Sequence, residues 1–403
     1  MSASVPRAGI STKVLLVLAL LSSLAPLGTD LYLSAFPQMV TDLHTSETGV
    51  QLSLTAFLLG SGLGQVVFGP LSDRFGRIRP LLVGLVIAVL AGVAAALAPG
   101  IQLLVTARLV QGMSAAAGMV IGRAMVTDLA VGQAAARAMS MLMVVGGVAP
   151  VVAPVLGSVL AEPIGWRGLL WIVASLSAFA LVSAAAGLRE THVGMPAREL
   201  SAEQRSARRR ALGSRTYLGN TIAFAFAFAT MMAYISASPF LYQGLMGMTH
   251  LQYGLAFGAN ALLLTAVSGV SSRLAGCIPA QTQAKLGLAI NAVAIAAIMG
   301  VVLAGLPATW LIVPVLIAVG SLGLVFGNLT ALALSAVREA SGTGSAWLGL
   351  LQFGLAGAVA PLVSLGGEGT ALPLAVTMLV ATIVANVAFR AANSVLGRSD
   401  AAA

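Results

Sequence analysis

Twelve long apolar runs leave this chain few ways to fold. They lie at roughly 14–36, 50–71, 80–98, 101–122, 138–161 and 167–188, then at 216–239, 252–272, 285–305, 310–333, 344–365 and 371–392. About 20 residues of helix cross a bilayer core about 30 Å thick. The runs are continuous, rich in Ala, Leu and Gly, and do not alternate, so helices are expected rather than barrel strands. The rest of the composition agrees. Of 403 residues 59% are hydrophobic and 8% charged, against about 25% charged in a soluble domain. Too little polar surface remains to cover a water-soluble particle. That excludes a soluble enzyme, a disordered chain and a secreted disulfide scaffold. The single cysteine, Cys277, forbids an internal disulfide, and no Cys/His spacing fits a metal site.

The first run follows Arg7 and Lys13 and in that respect imitates a signal peptide. Its length, and Asp30 near its far end, make it a retained helix instead. The net charge is +9. A basic soluble protein would suggest nucleic acid, but membrane proteins concentrate Lys and Arg in cytoplasmic loops. With a cytoplasmic N-terminus, 19 of the 21 Lys and Arg fall on the inner side, and Arg108 and Arg167 remain. Twelve spans return the C-terminus to the cytoplasm. The expected location is therefore a membrane bordering the cytoplasm, with both termini on the cytoplasmic side, lipid as the surrounding partner and no nucleic acid.

One long polar stretch, 189–215, separates two six-span halves, 1–188 and 216–403. Gly69-Pro-Leu-Ser-Asp-Arg-Phe-Gly76 is faintly echoed by Gly269-Val-Ser-Ser-Arg-Leu-Ala-Gly276, each after the second run of its half. This suggests a duplicated transporter with substrate near the midplane. No phosphate-binding G-x-x-x-x-G-K-[ST] loop occurs, so no cofactor is expected, and if the chain does transport work an ion gradient must supply the energy.

Charge inside a bilayer is costly, which makes each such group a functional candidate. Asp30 is the one acid of twelve within an apolar span. A low dielectric disfavours an ionised carboxyl and a neighbouring cation restores it. Arg108 is the matching cation, permanently charged and so unable to carry the proton itself. Gly69, Asp73, Arg74, Gly76 and Arg77 join spans two and three, where Asp73 can latch a neighbouring Arg or a helix N-terminus. Span five carries Gly146, Gly147, Pro150, Pro154 and Gly157, a cluster that should bend the helix and give a neighbour a smooth face.

At these residues the chain resembles a major facilitator superfamily transporter along essentially its whole length. Gly69–Arg79 resembles motif A, Arg108-x-x-Gln-Gly112 motif B, and Gly146–Gly157 motif C of its antiporter branches. More narrowly the chain is similar to the Bcr/CflA drug-resistance family, on Asp30-Leu-Tyr-Leu-Ser-Ala-Phe-Pro37, Gly165-Trp-Arg167, Ser238-Pro-Phe-Leu-Tyr242, Tyr253-Gly-Leu-Ala-Phe257 with Asn260, and Gly349-Leu-Leu-Gln-Phe353. The resemblance implies an all-helical, twelve-span fold and a drug:proton antiporter, with Asp30 the proton-linked acid and Arg108 its partner. Two departures qualify it: Ser34 stands where the family often has Pro, and Ser22 where some relatives carry a second acid. One proton per cycle, and neutral or monocationic substrates, follow. Tyr32, Gln111, Met141, Tyr234, Asn260 and Gln352 are the expected cavity residues, with Met as adaptable lining. The chain is expected to act as a monomer. The alternative is a metabolite exporter or importer of the same fold, since fold does not fix substrate. Against an enzyme, no H-E-x-x-H or G-x-S-x-G occurs.

Overall fold

A computed structural model describes residues 10–130, 132–192, 206, 209–337, 341–364 and 370–393, with the surroundings of some helical residues (among them 143–147) left undescribed. Among the described residues there is no strand. The helices are α1 (Thr12–Asp30), α2 (Phe36–Asp42), α3 (Glu47–Phe75), α4 (Ile78–Ala96), α5 (Ile101–Leu129) and α6 (Gly132–Gly187). Then come α7 (Arg215–Pro239), α8 (His250–Leu274), α9 (Ala280–Leu303), α10 (Ile312–Ser321), α11 (Phe326–Ser335), α12 (Ser341–Val359) and α13 (Leu372–Asn393). A chain crossing hydrocarbon must satisfy its own backbone groups, and helices do so within one segment.

Eleven segments of the described residues are long and apolar enough to cross a membrane. One of them, Val148–Gly187, has 40 residues, about 60 Å of helix at 1.5 Å per residue and twice a bilayer core. It is broken at Gly165, where φ is 64° and ψ 179°. That backbone suits glycine, and Pro163 just before it also disrupts helical hydrogen bonding. The break divides the segment into spans five and six, so the twelve runs of the sequence are twelve crossings.

Proline sets other interruptions. α1 ends at Asp30, and a 3-10 turn, Leu33–Ala35, leads into α2. Pro37 has no N–H for the Leu33 carbonyl and crowds it sterically. Pro239 closes α7 in the same way, and the chain passes through one π turn, Phe240–Leu245.

By internal packing the chain divides into two compact units, residues 1–33 with 56–198, and residues 34–55 with 199–403. Each has its own core. The first gathers Leu18, Leu21, Phe68, Leu81, Leu85 and Ile121; the second gathers Tyr217, Phe224, Leu288, Leu322, Leu329 and Phe389. α4 shows why such helices orient. Leu81, Leu85, Ala88 and Ala95 are buried while Val83, Val86, Leu90 and Leu97 are exposed, two apolar stripes at helical spacing, one for protein and one for lipid.

In the first unit, α3 and α5 meet backbone to backbone. A Cβ built at Gly60 would strike the Leu109 carbonyl, one at Gly64 the Met113 carbonyl, and one at Gly112 the Phe57 carbonyl. Ser61 Oγ donates to the Gly112 carbonyl at 3.3 Å. Small residues at this spacing let membrane helices approach closely, and the approach carries Phe57 up to the candidate site.

Candidate functional site

Asp30 is the last residue of α1 and is buried, 4% exposed. Arg108, on α5, is 0% exposed. Its Nη1 donates to Gln111 Oε1 at 2.6 Å and its Nη2 to the Gly28 carbonyl at 2.6 Å. The guanidinium lies over the rings of Tyr32, 4.5 Å from the centroid, and Phe57, 4.3 Å away. Such faces attract a cation most where water is excluded. Desolvating a cation still costs several kcal/mol, so the position is held against a thermodynamic preference.

Three sequence candidates, Arg108, Gln111 and Tyr32, are thus brought into contact. The structure arranges Asp30 and Arg108 differently from a direct pair. Among the described residues, the ion pairs within 4.0 Å are those of Arg77 with Asp73 and with Asp128. Arg108 instead grips the backbone of α1 two residues before Asp30. Gly28 allows this because a Cβ there would lie 3.2 Å from the Phe57 ring. Arg108 Nε and Gln111 Nε2 have no hydrogen-bond partner among the described residues, so two buried donors are left over around the guanidinium. Phe57 and the Gly28 carbonyl escaped the sequence reading. The Gly60-x-x-x-Gly64 spacing was the available signal for the close helix approach, but nothing local marks a carbonyl as a cation's partner.

Tyr234 and Asn260 come together in the second unit. Asn260 Nδ2 lies 2.9 Å from Tyr234 Oη and 3.3 Å from Tyr242 Oη, and donates to the Ala256 carbonyl at 2.9 Å. Tyr253 and Phe257 complete an aromatic cluster, with ring centroids 5.7 to 6.3 Å apart. Tyr242 and Tyr253, which the sequence reading did not place with Tyr234 and Asn260, belong to the same buried cluster. Gln352 is half-buried, next to Phe353, whose ring meets Phe228 at 5.8 Å. Met141 is 39% exposed and joins neither cluster.

The loop between α3 and α4 forms a compact ionic knot. Arg77 donates to Ser72 Oγ at 2.9 Å, to Asp73 at 2.5 Å and to Asp128 at 2.9 Å. Burial alone would lower the Arg77 pKa, but the two carboxylates outweigh it and raise the pKa above the usual arginine value. The Glu190 carboxylate accepts from the backbone N–H of Arg77 at 2.7 Å and of Ile78 at 3.1 Å. Burial would raise its pKa; those N–H donors, with His192 and Thr191, outweigh it and hold the carboxyl below the usual glutamate range. Gly76 has φ 84°, and a Cβ there would meet Glu190 Oε2 at 2.7 Å. Asp128, Glu190 and Thr191, whose hydroxyl donates to Asp128 at 3.1 Å, have no signal in local sequence. Arg74 is exposed and rests over Phe75 at 5.2 Å. Gly69 only touches Val120, at 3.9 Å from a built Cβ.

In span five, Pro150 and Pro154 lie inside α6. A Cβ at Gly157 would strike the Leu31 carbonyl, so this glycine admits the end of α1 beside Asp30. Gly146 and Gly147 fall within α6, but their surroundings lie outside what the structure describes.

Comparison with known proteins puts this arrangement in context. The profile of the Major Facilitator Superfamily matches residues 18–361. An uncharacterised transporter of that type from Bacillus subtilis, YdgK, is 32% identical over 379 residues, covering 93% of each chain. A protein named chloramphenicol resistance protein from Pseudomonas aeruginosa is 30% identical over 92% of this chain and 88% of its own length. A bicyclomycin resistance protein homolog from Haemophilus influenzae is 27% identical, with 93% and 94% covered. Among solved structures, a D-xylose-proton symporter superposes with a TM-score of 0.73 at 13% identity, over 93% of this chain and 96% of that one. Twelve crossings, a matching profile and relatives aligned along nearly their full lengths have one meaning: the chain is a multi-pass membrane transporter of the Major Facilitator Superfamily.

Proposed function

We propose that this transporter exports small, mostly apolar drugs of the chloramphenicol or bicyclomycin kind across the bacterial cytoplasmic membrane in exchange for protons. The observation that carries the reading is the buried acid Asp30 on a helix end gripped by a fully buried arginine, Arg108. An intramembrane acid and cation are expensive unless they act. Relatives named for resistance to chloramphenicol and bicyclomycin support the substrate class.

In this reading both termini face the cytoplasm and the monomer is the working unit. Residues 1–188 and 216–403 alternate access to a central cavity. A proton from outside neutralises Asp30, and drug from inside competes with that protonated state. Each ligand must favour one conformation, because equal affinities shift nothing. Arg108 stays charged throughout and transmits the state of Asp30 through its hold on the Gly28 carbonyl. One proton entering down 100 mV supplies about 2.3 kcal/mol, enough for roughly fortyfold accumulation of a neutral drug outside.

Inverted vesicles with a preformed pH gradient test this. Chloramphenicol, bicyclomycin or ethidium is added, and gradient collapse is followed with a pH dye. Collapse with the wild type and none with Asp30→Asn is the expected outcome. Collapse in both places the proton site elsewhere. No response to any of the three, with expression verified, favours a metabolite transporter.

A further inference from the structure

The start of α3 borders a pocket that the exchange just described leaves unused. The pocket lies wholly within the second compact unit, residues 34–55 with 199–403. Glu47 opens the helix, and Gln51 follows one turn later on the same face. With Thr370 they are the polar side chains of a lining otherwise made by Phe240, Leu241, Leu374 and their apolar neighbours. The pocket measures about 30 Å³, room for a group the size of a water molecule and far too little for a drug. Gln51 is 1% exposed, and its Nε2 donates to the Ser236 carbonyl at 3.2 Å. That bond orients the amide and leaves Oε1 with no hydrogen-bond partner among the described residues. Ser236 Oγ in turn donates to the Ala360 carbonyl at 3.2 Å, so the wall that holds Gln51 is itself tied down.

A buried acceptor without a donor is costly, and the lining dictates which donor suits it. Glu47 offers carboxylate oxygens, which accept several bonds at once. The positive ends of α3 and α13, which begin at Glu47 and Leu372, favour its ionised form. Gln51 offers Oε1 alone. Thr370 Oγ1 accepts from the Leu372 N–H at 3.1 Å and keeps a second lone pair. Among the described residues that line the pocket there is no Lys, Arg or His. Acceptors of this kind, one of them charged, select a cation that brings its own N–H donors. A hard metal ion wants about six oxygens, more than these side chains supply. A guanidinium or a quaternary ammonium is too wide. A primary ammonium is close to water in size and carries one N–H for each of the acceptors.

We propose that this pocket binds a primary ammonium group, held by Glu47, Gln51 Oε1 and Thr370 Oγ1. The pocket stands at the end of a crossing, at the level of lipid headgroups, so the ammonium belongs to an ethanolamine headgroup or to a free amine from the aqueous phase. Neither source depends on the drug exchange proposed above.

Methylammonium is the probe, and tetramethylammonium, which has no N–H, is its control. Each is titrated as the chloride against the full-length transporter in detergent, and the rise in Tm gives an apparent affinity. Methylammonium should stabilise the wild type saturably, and tetramethylammonium should not. Glu47→Gln should weaken methylammonium binding by about tenfold or more, the size expected for a hydrogen bond to a charged group. Glu47→Asp should restore part of the affinity, and Gln51→Met, which removes the acceptor at similar length, should lower it. Nanodiscs separate the two sources. If the headgroup is the natural ligand, methylammonium loses its effect in phosphatidylethanolamine discs and keeps it in phosphatidylcholine discs. If a free amine is, the effect persists in both. Equal responses to the two probes, or wild-type affinity in Glu47→Gln, overturn the site and leave the pocket to water. A response lost in Asp30→Asn but kept in Glu47→Gln assigns the amine to the buried acid, which also overturns it.

Discussion

The turn between the second and third crossings is built twice in this molecule, with opposite chemistry. In the first unit Arg77 ties Ser72 and Asp73 on α3 to Asp128 on α5, and Glu190 caps the start of α4. In the second unit Ser271 Oγ on α8 donates to Gln283 Oε1 on α9 at 2.7 Å, and Asn328 Nδ2 on α11 donates to Ser271 Oγ at 3.0 Å. The same three helices of each half are stitched, once with charges and once with neutral amides and a hydroxyl. Asp128 and Asn328 both lie on the fourth crossing of their half, Asp128 at the end of α5 and Asn328 near the start of α11. A neutral network gains about 1 kcal/mol per bond and is indifferent to salt and pH. A charged knot is stronger while intact, costs more to break, and responds to both. The two units therefore hold one joint indifferent to salt and pH and one that chemistry can loosen.

Breaking each joint at its centre should show the largest contrast. Arg77→Ala leaves Asp128 and Asp73 without their cation. Because Asp73 is 67% exposed, the expected loss is about 2–3 kcal/mol rather than the full value of a buried pair, read as a lowered Tm in detergent. Asn328→Ala should lose about 1 kcal/mol. Equal losses in the two variants would erase the distinction.

Gly76→Ala tests the backbone side of the charged joint. A positive φ, together with a Cβ pressed on Glu190, should cost about 1–2 kcal/mol. Gly276, at the corresponding place in the second unit, has nothing within 4 Å of a built Cβ. Gly276→Ala should be close to neutral in the same thermal assay.

The smallest effect is in pH. Glu190 is held below its ordinary range in the folded state, so its contribution is full above the unfolded glutamate pKa of about 4.3 and disappears as pH falls through the folded value. Protease cleavage near residue 190 should accelerate on acidification below about pH 4. In Glu190→Gln that acid-dependent step should be absent, with cleavage already faster at neutral pH. An unchanged acid step would assign it to another carboxylate.

Much of this is legible along the chain. Run lengths and hydropathy give the crossings, because a bilayer demands about 20 apolar residues per helix whatever their neighbours are. The gap between runs at 161 and 167 contains the break that the structure puts at Gly165. Asp30 and Arg108 stand out because charge within an apolar run is itself the signal. The union of residues 34–55 with the second unit is not legible, since periodicity within α3 does not change at residue 55.

The sequence by itself determined the solvent, the number of crossings and which ionisable groups must justify their burial, since those follow from transfer free energies of single segments. Only the tertiary structure decided that Arg108, its guanidinium over two aromatic rings, holds the Gly28 carbonyl, that Glu190 closes a turn more than 100 residues away, and that Gln51 and Thr55 have oxygens without a partner among the described residues. Those facts depend on which helices approach one another and to within what distance. Hydrogen bonds reach about 3 Å, a scale that hydropathy does not encode.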